Sequence, residues 1–143
     1  MSASVGAAGF EVEGEAGVAM CMTLIVEDNV VFRQSLKEML LSRFPEMQVE
    51  EAVDGIEAME KANKAFPDLI FIDIKLPDGN GLDLTKEMRR DHSGAVIVVF
   101  SCFDLPEYLE AARRSGADHV FIKGSTTSNE IMALVGNVVS EGR

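Results

Sequence analysis

Residue types able to do phosphoryl or metal chemistry recur in one setting along this chain, directly after a short apolar run. Glu27 and Asp28 follow Leu24-Ile25-Val26, Asp73 follows Leu69-Ile70-Phe71-Ile72, Ser101 follows Ala95-Val96-Ile97-Val98-Val99-Phe100, and Lys123 follows His119-Val120-Phe121-Ile122. The unbroken run before Asp73, bounded by a Pro/Gly turn, reads as a strand buried on both faces, and the other runs read as strands. In a parallel sheet all their ends lie on one rim, where open α/β proteins bind ligands. Three carboxylates, a hydroxyl and an amine would then converge.

The convergence has a chemical logic. A carboxylate such as Asp73 can attack a phosphoryl group to give an acyl phosphate, but nucleophile and donor are both anionic and repel unless a cation lies between them. Glu27 and Asp28 can hold that cation. Magnesium favours octahedral oxygen sites built from one or two carboxylates, water and phosphate oxygens, and it would serve as Lewis acid and template. Lys123 offers a mobile point charge that pairs with Asp73 at rest and with a phosphoryl oxygen afterwards. Ser101 can donate a hydrogen bond to another phosphoryl oxygen. Each residue also has a plainer role. Glu27, Asp28 or Asn29 can cap a helix, Ser101 can be a turn residue, Lys123 a surface lysine, and Asp73 a cap on the turn that Pro77, Asp78 and Gly79 mark. Agreement among four strand ends favours the chemistry.

The elements that must position these residues alternate. After the first strand a helix is expected over about Val30 to Phe44, with Phe32, Leu36, Met39 and Leu40 at helical spacing and Pro45 as its stop. A short second strand near Gln48 to Ala52 carries Glu50 and Glu51, as an edge strand should. Asp54 and Glu57 open the second helix with capping-box spacing, and Pro67 closes that unit. The third strand ends at Asp73, and the third helix is expected over about Leu82 to Asp91. Pro106 stands near the start of the fourth helix and Gly116 after its end. The fifth strand covers about His119 to Ile122. Thr127 and Glu130 have capping-box spacing for the fifth helix, whose apolar face is Ile131, Leu134, Val135 and Val138. Five strand–helix units imply an α/β fold, a doubly wound five-stranded parallel sheet with right-handed crossovers and helices on both faces. Its expected strand order is the flavodoxin-like 2-1-3-4-5.

Composition bounds the rest. At 143 residues and 47% hydrophobic the chain allows one domain with a real core, since a domain near this size buries about 70% of the surface its unfolded chain exposes. The net charge of -11, with no basic stripe, argues against direct nucleic acid binding. Cys21 and Cys102 form no framework or metal spacing, which suits reduced thiols in a cytoplasmic protein. Residues 1–22 hold no Lys or Arg. They lack the basic start of a secretory signal and the length of a membrane span, so no membrane association is expected and they read as a flexible arm before a folded domain at 23–143. Phe10-Glu11-Val12-Glu13 alternates like a short strand inside that arm. His92, in a polar turn, and His119 have no partner at metal spacing, and the eight methionines read as arm and core residues.

The motifs Leu24-Ile25-Val26-Glu27-Asp28-Asn29, Ile72-Asp73-Ile74-Lys75-Leu76-Pro77-Asp78-Gly79-Asn80-Gly81, Ser101, and Gly116-Ala117-Asp118 leading to Lys123 resemble, in this order, the receiver domain of bacterial two-component response regulators. The resemblance runs from about Thr23 to the last residue. It implies Asp73 as phosphoacceptor, Glu27 and Asp28 as the acid pair around Mg2+, Lys75 as donor of a backbone carbonyl to the metal, Ser101 as switch hydroxyl, and Lys123 as the lysine that pairs with the phosphate. It implies partners too: a histidine kinase or phosphotransfer protein upstream, and a downstream protein or output domain reached through the face formed by the fourth helix, fifth strand and fifth helix. Activity of its own would be limited to self-catalysed phosphotransfer and slow autodephosphorylation, so the chain is not expected to be an enzyme.

Departures from the family pattern bear on behaviour. Many receivers have Tyr or Phe three residues before the lysine, where this chain has Val120; Phe121 is one residue off and faces the other side of the strand. Gly124 follows the lysine where Pro is frequent. Lys75 and Phe103 stand at positions that influence dephosphorylation in this family, and their bulk predicts a long-lived phosphoryl group. The chain ends at Arg143 just past the fifth helix, which reads as a stand-alone receiver or as one excised from a regulator with a DNA-binding output domain. Two other readings keep the same residues. A receiver-like interaction module would never accept phosphate, and an aspartate-nucleophile phosphohydrolase would need a second aspartate where Lys75 stands.

Overall fold

The computed structural model describes residues 21–141. Most of the expected arm, including the alternating stretch Phe10-Glu11-Val12-Glu13, lies outside the described residues. Its last two residues belong to the folded unit, because the first strand, β1, spans Met22–Val26 and Cys21 is buried. The cause lies in distant partners: Met22 pairs with Gln48 of the neighbouring strand, and its N–H donates to Asp68 Oδ2 at 2.9 Å. Short polar and apolar residues gave no periodic signal there.

The remaining elements follow the alternation. They are α1 Val30–Arg43, β2 Gln48–Ala52, α2 Gly55–Ala65, β3 Leu69–Asp73, α3 Gly81–Asp91, β4 Val96–Ser101, α4 Pro106–Ser115, β5 His119–Ile122 and α5 Ser128–Ser140. All five strands are parallel and lie in the order β2-β1-β3-β4-β5. A small antiparallel pair, Lys75–Leu76 with Gly79–Asn80, closes the turn after β3. Among the described residues no helix is long and apolar enough to cross a membrane.

Strand alternation divides the interior into two cores, one on each side of the sheet. On one side Ile25, Leu69, Phe71, Val98 and Phe100 meet Leu36 and Leu40 of α1 and Ile131, Val135 and Val138 of α5. On the other Leu24, Val26, Ile70, Ile72, Ile97 and Val99 meet Ala58 and Ala62 of α2, Leu84 and Met88 of α3, and Ala112 of α4. Five residues of β3 are buried, so Asp73 ends a strand with no solvent face. Val120 packs with the second core and Phe121 with the first, as a one-residue step along a strand requires.

The caps show why the rim loops are where they are. Asn29 Oδ1 accepts the Phe32 N–H and caps α1, so neither Glu27 nor Asp28 is consumed by capping. Thr127 and Glu130 form the reciprocal box at α5. At α2 the box is incomplete. Asp54 accepts the Glu57 N–H, while the Glu57 side chain reaches past the cap to the Val53 N–H at 2.9 Å. His92 is buried at the end of α3, its Nε2 3.0 Å from Asn63 Oδ1 and its ring edge-on to Phe66. It is a packed helix terminus, not a residue of a polar turn.

Candidate functional site

At the carboxyl edge of the sheet β1 and β3 are neighbours, and their ends bring Glu27, Asp28 and Asp73 together. Carboxylate oxygens of the three lie within 4.8 Å of one another. Glu27 is 2% exposed and Asp73 5%, whereas Asp28 is exposed to solvent. β5 adds Lys123, whose Nζ lies 2.7 Å from Glu27 Oε1 and 3.1 Å from Asp73 Oδ2. The Lys123 N–H donates to the Ser101 carbonyl at 2.9 Å, tying the ends of β4 and β5.

Burial pushes the Glu27 carboxyl above its ordinary range, against the opposing pull of the Lys123 ammonium and the Asn29 N–H; the nearby Asp73 charge adds to the rise. Burial alone would lower the Lys123 amine, but its contacts with Glu27 and Asp73 outweigh that and hold it above the usual lysine value. The site therefore carries a retained cation among three acids. Glu27 Oε1 is buried without an aligned hydrogen bond, its ammonium neighbour being an ionic contact. A set of three carboxylates whose oxygens converge within 4.8 Å fits a hard divalent cation.

The loop after Asp73 is held by backbone. Lys75 N–H points to Asp73 Oδ1 at 3.3 Å, Ile74 N–H bonds the Phe100 carbonyl, and Gly81 N–H bonds the Ile74 carbonyl at 2.6 Å. A Cβ at Gly81 would run into the Asp73 carbonyl oxygen and the Ile74 backbone, so only glycine lets α3 start this close to the strand end. After Lys123, Gly124 has φ 86, a conformation that proline cannot adopt and that glycine adopts freely.

Ser101 is buried, yet its hydroxyl serves the loop that follows. It donates to the Phe103 carbonyl at 2.9 Å and accepts the Phe103 N–H at 3.0 Å. It still borders Asp73 across a cleft of about 360 Å³ whose wall includes Lys75, Phe103 and Tyr108. The rings of Phe103 and Tyr108 stack at 5.5 Å there.

Residues that the sequence pattern did not single out complete the site. Arg33 on α1 donates from Nη1 to the Glu27 carbonyl at 2.7 Å and from Nε to Glu51 Oε1 at 2.8 Å. Gln34 and Lys37 hold the same Glu51 carboxylate, and the Lys37 and Arg33 contacts keep it below the usual range. The acid loop is thus braced against the edge strand. Asp78 accepts the N–H groups of Gly55 and Ile56 at 2.9 and 3.0 Å, pinning the loop after Asp73 to the start of α2. The capping signal was visible only as Asp54, because Asp78 acts from 23 residues away.

A parallel sheet of this order with an acid trio and a lysine at its carboxyl rim defines a receiver-type α/β domain. Residues 23–135 match the response regulator receiver domain family, and the chain belongs to it. Such a domain is a phosphoacceptor signalling module of two-component systems, not a conventional enzyme. Over 111 residues the chain is 38% identical to the transcriptional regulatory protein PdtaR of Mycobacterium tuberculosis, matching 78% of this chain and 53% of that protein. It is 32% identical to the chemotaxis protein CheY of Thermotoga maritima over 111 residues, or 78% of this chain and 92% of that one. The chain spans about half the length of PdtaR and most of CheY. Among solved structures, a two-component response regulator from Clostridium difficile aligns with a TM-score of 0.77 at 26% identity, over 84% of this chain and 96% of that one.

Proposed function

We propose that the chain is a switch driven by phosphorylation of Asp73, with a histidine kinase or phosphotransfer protein as donor. The observation that carries this reading is the buried Asp73 carboxylate lying between an ammonium at 3.1 Å and two further carboxylates. An Asp73 oxygen forms a bond to phosphorus while the bond from phosphorus to the donor imidazole breaks; the electron pair stays on the ring nitrogen, which takes up a proton. Mg2+ held by Glu27, Asp28, Asp73 and the Lys75 carbonyl supplies charge neutralisation and Lewis acidity when bound. Lys123 exchanges its Asp73 contact for a phosphoryl oxygen. Ser101 gives up the Phe103 carbonyl and turns its hydroxyl to another phosphoryl oxygen. Phe103, stacked on Tyr108 at the cleft, and the exposed Lys75 restrict the approach of water, which supports slow loss of the phosphoryl group.

Release of the Phe103 carbonyl frees the loop before α4, and the readout is a population shift of the α4–β5–α5 face. Leu105 at the start of α4 and Tyr108 in its first turn expose apolar surface, which suits a downstream protein or an output domain as partner. Direct nucleic acid binding is disfavoured by the acidic surface. An exposed free thiol at Cys102 supports a reducing, cytoplasmic setting. Intact mass after incubation with a small phosphodonor tests the central step: one phosphoryl group should add to the native chain with magnesium and none to Asp73→Asn. Equal addition to both would remove Asp73 as acceptor, and addition to neither would favour the interaction-module reading.

A further inference from the structure

Lys123 has a third neighbour besides its two carboxylates. Its Nζ lies 4.5 Å from the centroid of the Phe32 ring. The ring is itself fixed, meeting Phe100 edge-on at 5.1 Å between centroids, and Phe100 stacks on Phe71 at 5.6 Å. Phe32 reads from sequence as one more apolar position of α1. In the fold it sits at the rim side of the core, next in sequence to Arg33, so consecutive residues of α1 face the amine and brace the acid loop.

We propose that Phe32 is a positioning residue for phosphoryl capture, its ring face seating the Lys123 ammonium while that nitrogen exchanges Asp73 for a phosphoryl oxygen. This role presupposes the phosphoacceptor reading of Asp73 given above. When the Asp73 oxygen becomes the bridging oxygen of an acyl phosphate, its charge passes to the phosphoryl oxygens and the amine has to follow. A lysine has four side-chain torsions and a strong preference for water, so an amine released from one carboxylate tends to swing out. An aromatic face attracts a cation without demanding a fixed hydrogen-bond direction. It can therefore hold the ammonium in place through the exchange. Glu27 cannot do this alone, because its carboxylate is also part of the cation site. An aliphatic side chain would fill the same core volume and offer no such attraction.

Mono-, di- and trifluorophenylalanine at position 32 keep the shape of the ring and progressively drain its negative face. Two quantities are measured on the full chain: the labelling rate with a small phosphodonor at saturating magnesium, and the urea midpoint with Lys123 intact or as Lys123→Met. The rate should fall stepwise with fluorine number, by about threefold to tenfold over the series. The midpoint should fall with fluorine number when Lys123 is present and stay level in Lys123→Met. A rate that ignores fluorination overturns the proposal. So does an equal midpoint loss in both backgrounds, which would assign the effect to the Phe32–Phe100 edge contact. If the trifluoro chain does not fold, the mono- and difluoro chains carry the same trend. A native chain that takes no label overturns the phosphoacceptor reading instead, and the midpoint series still decides whether the ring seats the amine.

Discussion

Lys123→Met removes the cation that Glu27 and Asp73 share, and its cost can be worked from the geometry. Glu27 is 2% exposed, and its Oε1 keeps no aligned hydrogen bond once the ammonium at 2.7 Å is gone. Breaking one side of a buried ion pair costs about 3–5 kcal/mol. The lysine side chain is 18% exposed and Asp73 borders a cleft, so water reaches part of the site and the low end, about 3 kcal/mol, applies. The pH dependence has a definite sign. Burial already raises the Glu27 carboxyl, and losing the opposing amine raises it further. The folded chain then binds that proton more tightly than the unfolded chain, so stability falls as pH climbs from the ordinary carboxylate range to the raised value and is lowest above it. Urea denaturation followed by circular dichroism between about pH 4 and pH 8 reads this directly. Lys123→Met should lose most stability at neutral pH and recover part on acidification. Adding Glu27→Gln should restore most of the loss and flatten the profile. A loss below about 1 kcal/mol, or an unchanged profile in the double variant, would refute the reasoning.

Three further outcomes follow from other contacts. Gly81→Ala places a methyl against the Asp73 and Ile74 backbone; it should cost about 3 kcal/mol in urea denaturation and slow phosphorylation as well, and a neutral effect would mean the turn can open freely. Arg33→Ala removes two charge-assisted bonds to Glu27 and Glu51. It should cost about 2 kcal/mol and raise the magnesium concentration needed for half-maximal labelling, with Arg33→Lys intermediate in both. Asp78→Asn weakens the acceptor of two α2 N–H groups, whose bonds hold the Asp78 carboxyl below the usual range. The variant should be less stable than the native chain at neutral pH, and the difference should vanish as pH falls through the lowered Asp78 value; a difference that persists in acid would assign it to packing.

The strands, the helices and the rim residues were legible because they depend on local signals. Unbroken apolar runs marked β3 and β4, the glutamates of Glu50-Glu51 marked an edge, and Thr127 with Glu130 marked a helix start. Asp73, Glu27, Asp28 and Lys123 were legible because strand ends in a parallel sheet share a rim. What escaped the sequence depends on partners far along the chain. Asp78 caps a helix that begins before it, Arg33 holds the Glu51 carboxylate of the edge strand, and no spacing announces either. Phe32 and an ordinary core phenylalanine have the same periodicity. Ser101 was legible as a rim hydroxyl, but its bond to the Phe103 carbonyl is a rotamer choice that composition does not encode. Glu57 had the right spacing for a reciprocal cap and took the Val53 N–H, because the neighbouring loop offered it at good geometry.

The most direct measurement is the identity of the residue that carries phosphate. Treating the chain with a small phosphodonor and magnesium, reducing the product with borohydride, and sequencing its peptides converts an aspartyl phosphate into homoserine at the modified position. Homoserine should appear at position 73 alone, and only when magnesium is present. Homoserine at position 28 or elsewhere, or none from a chain whose mass shows added phosphate, would contradict the assignment of Asp73.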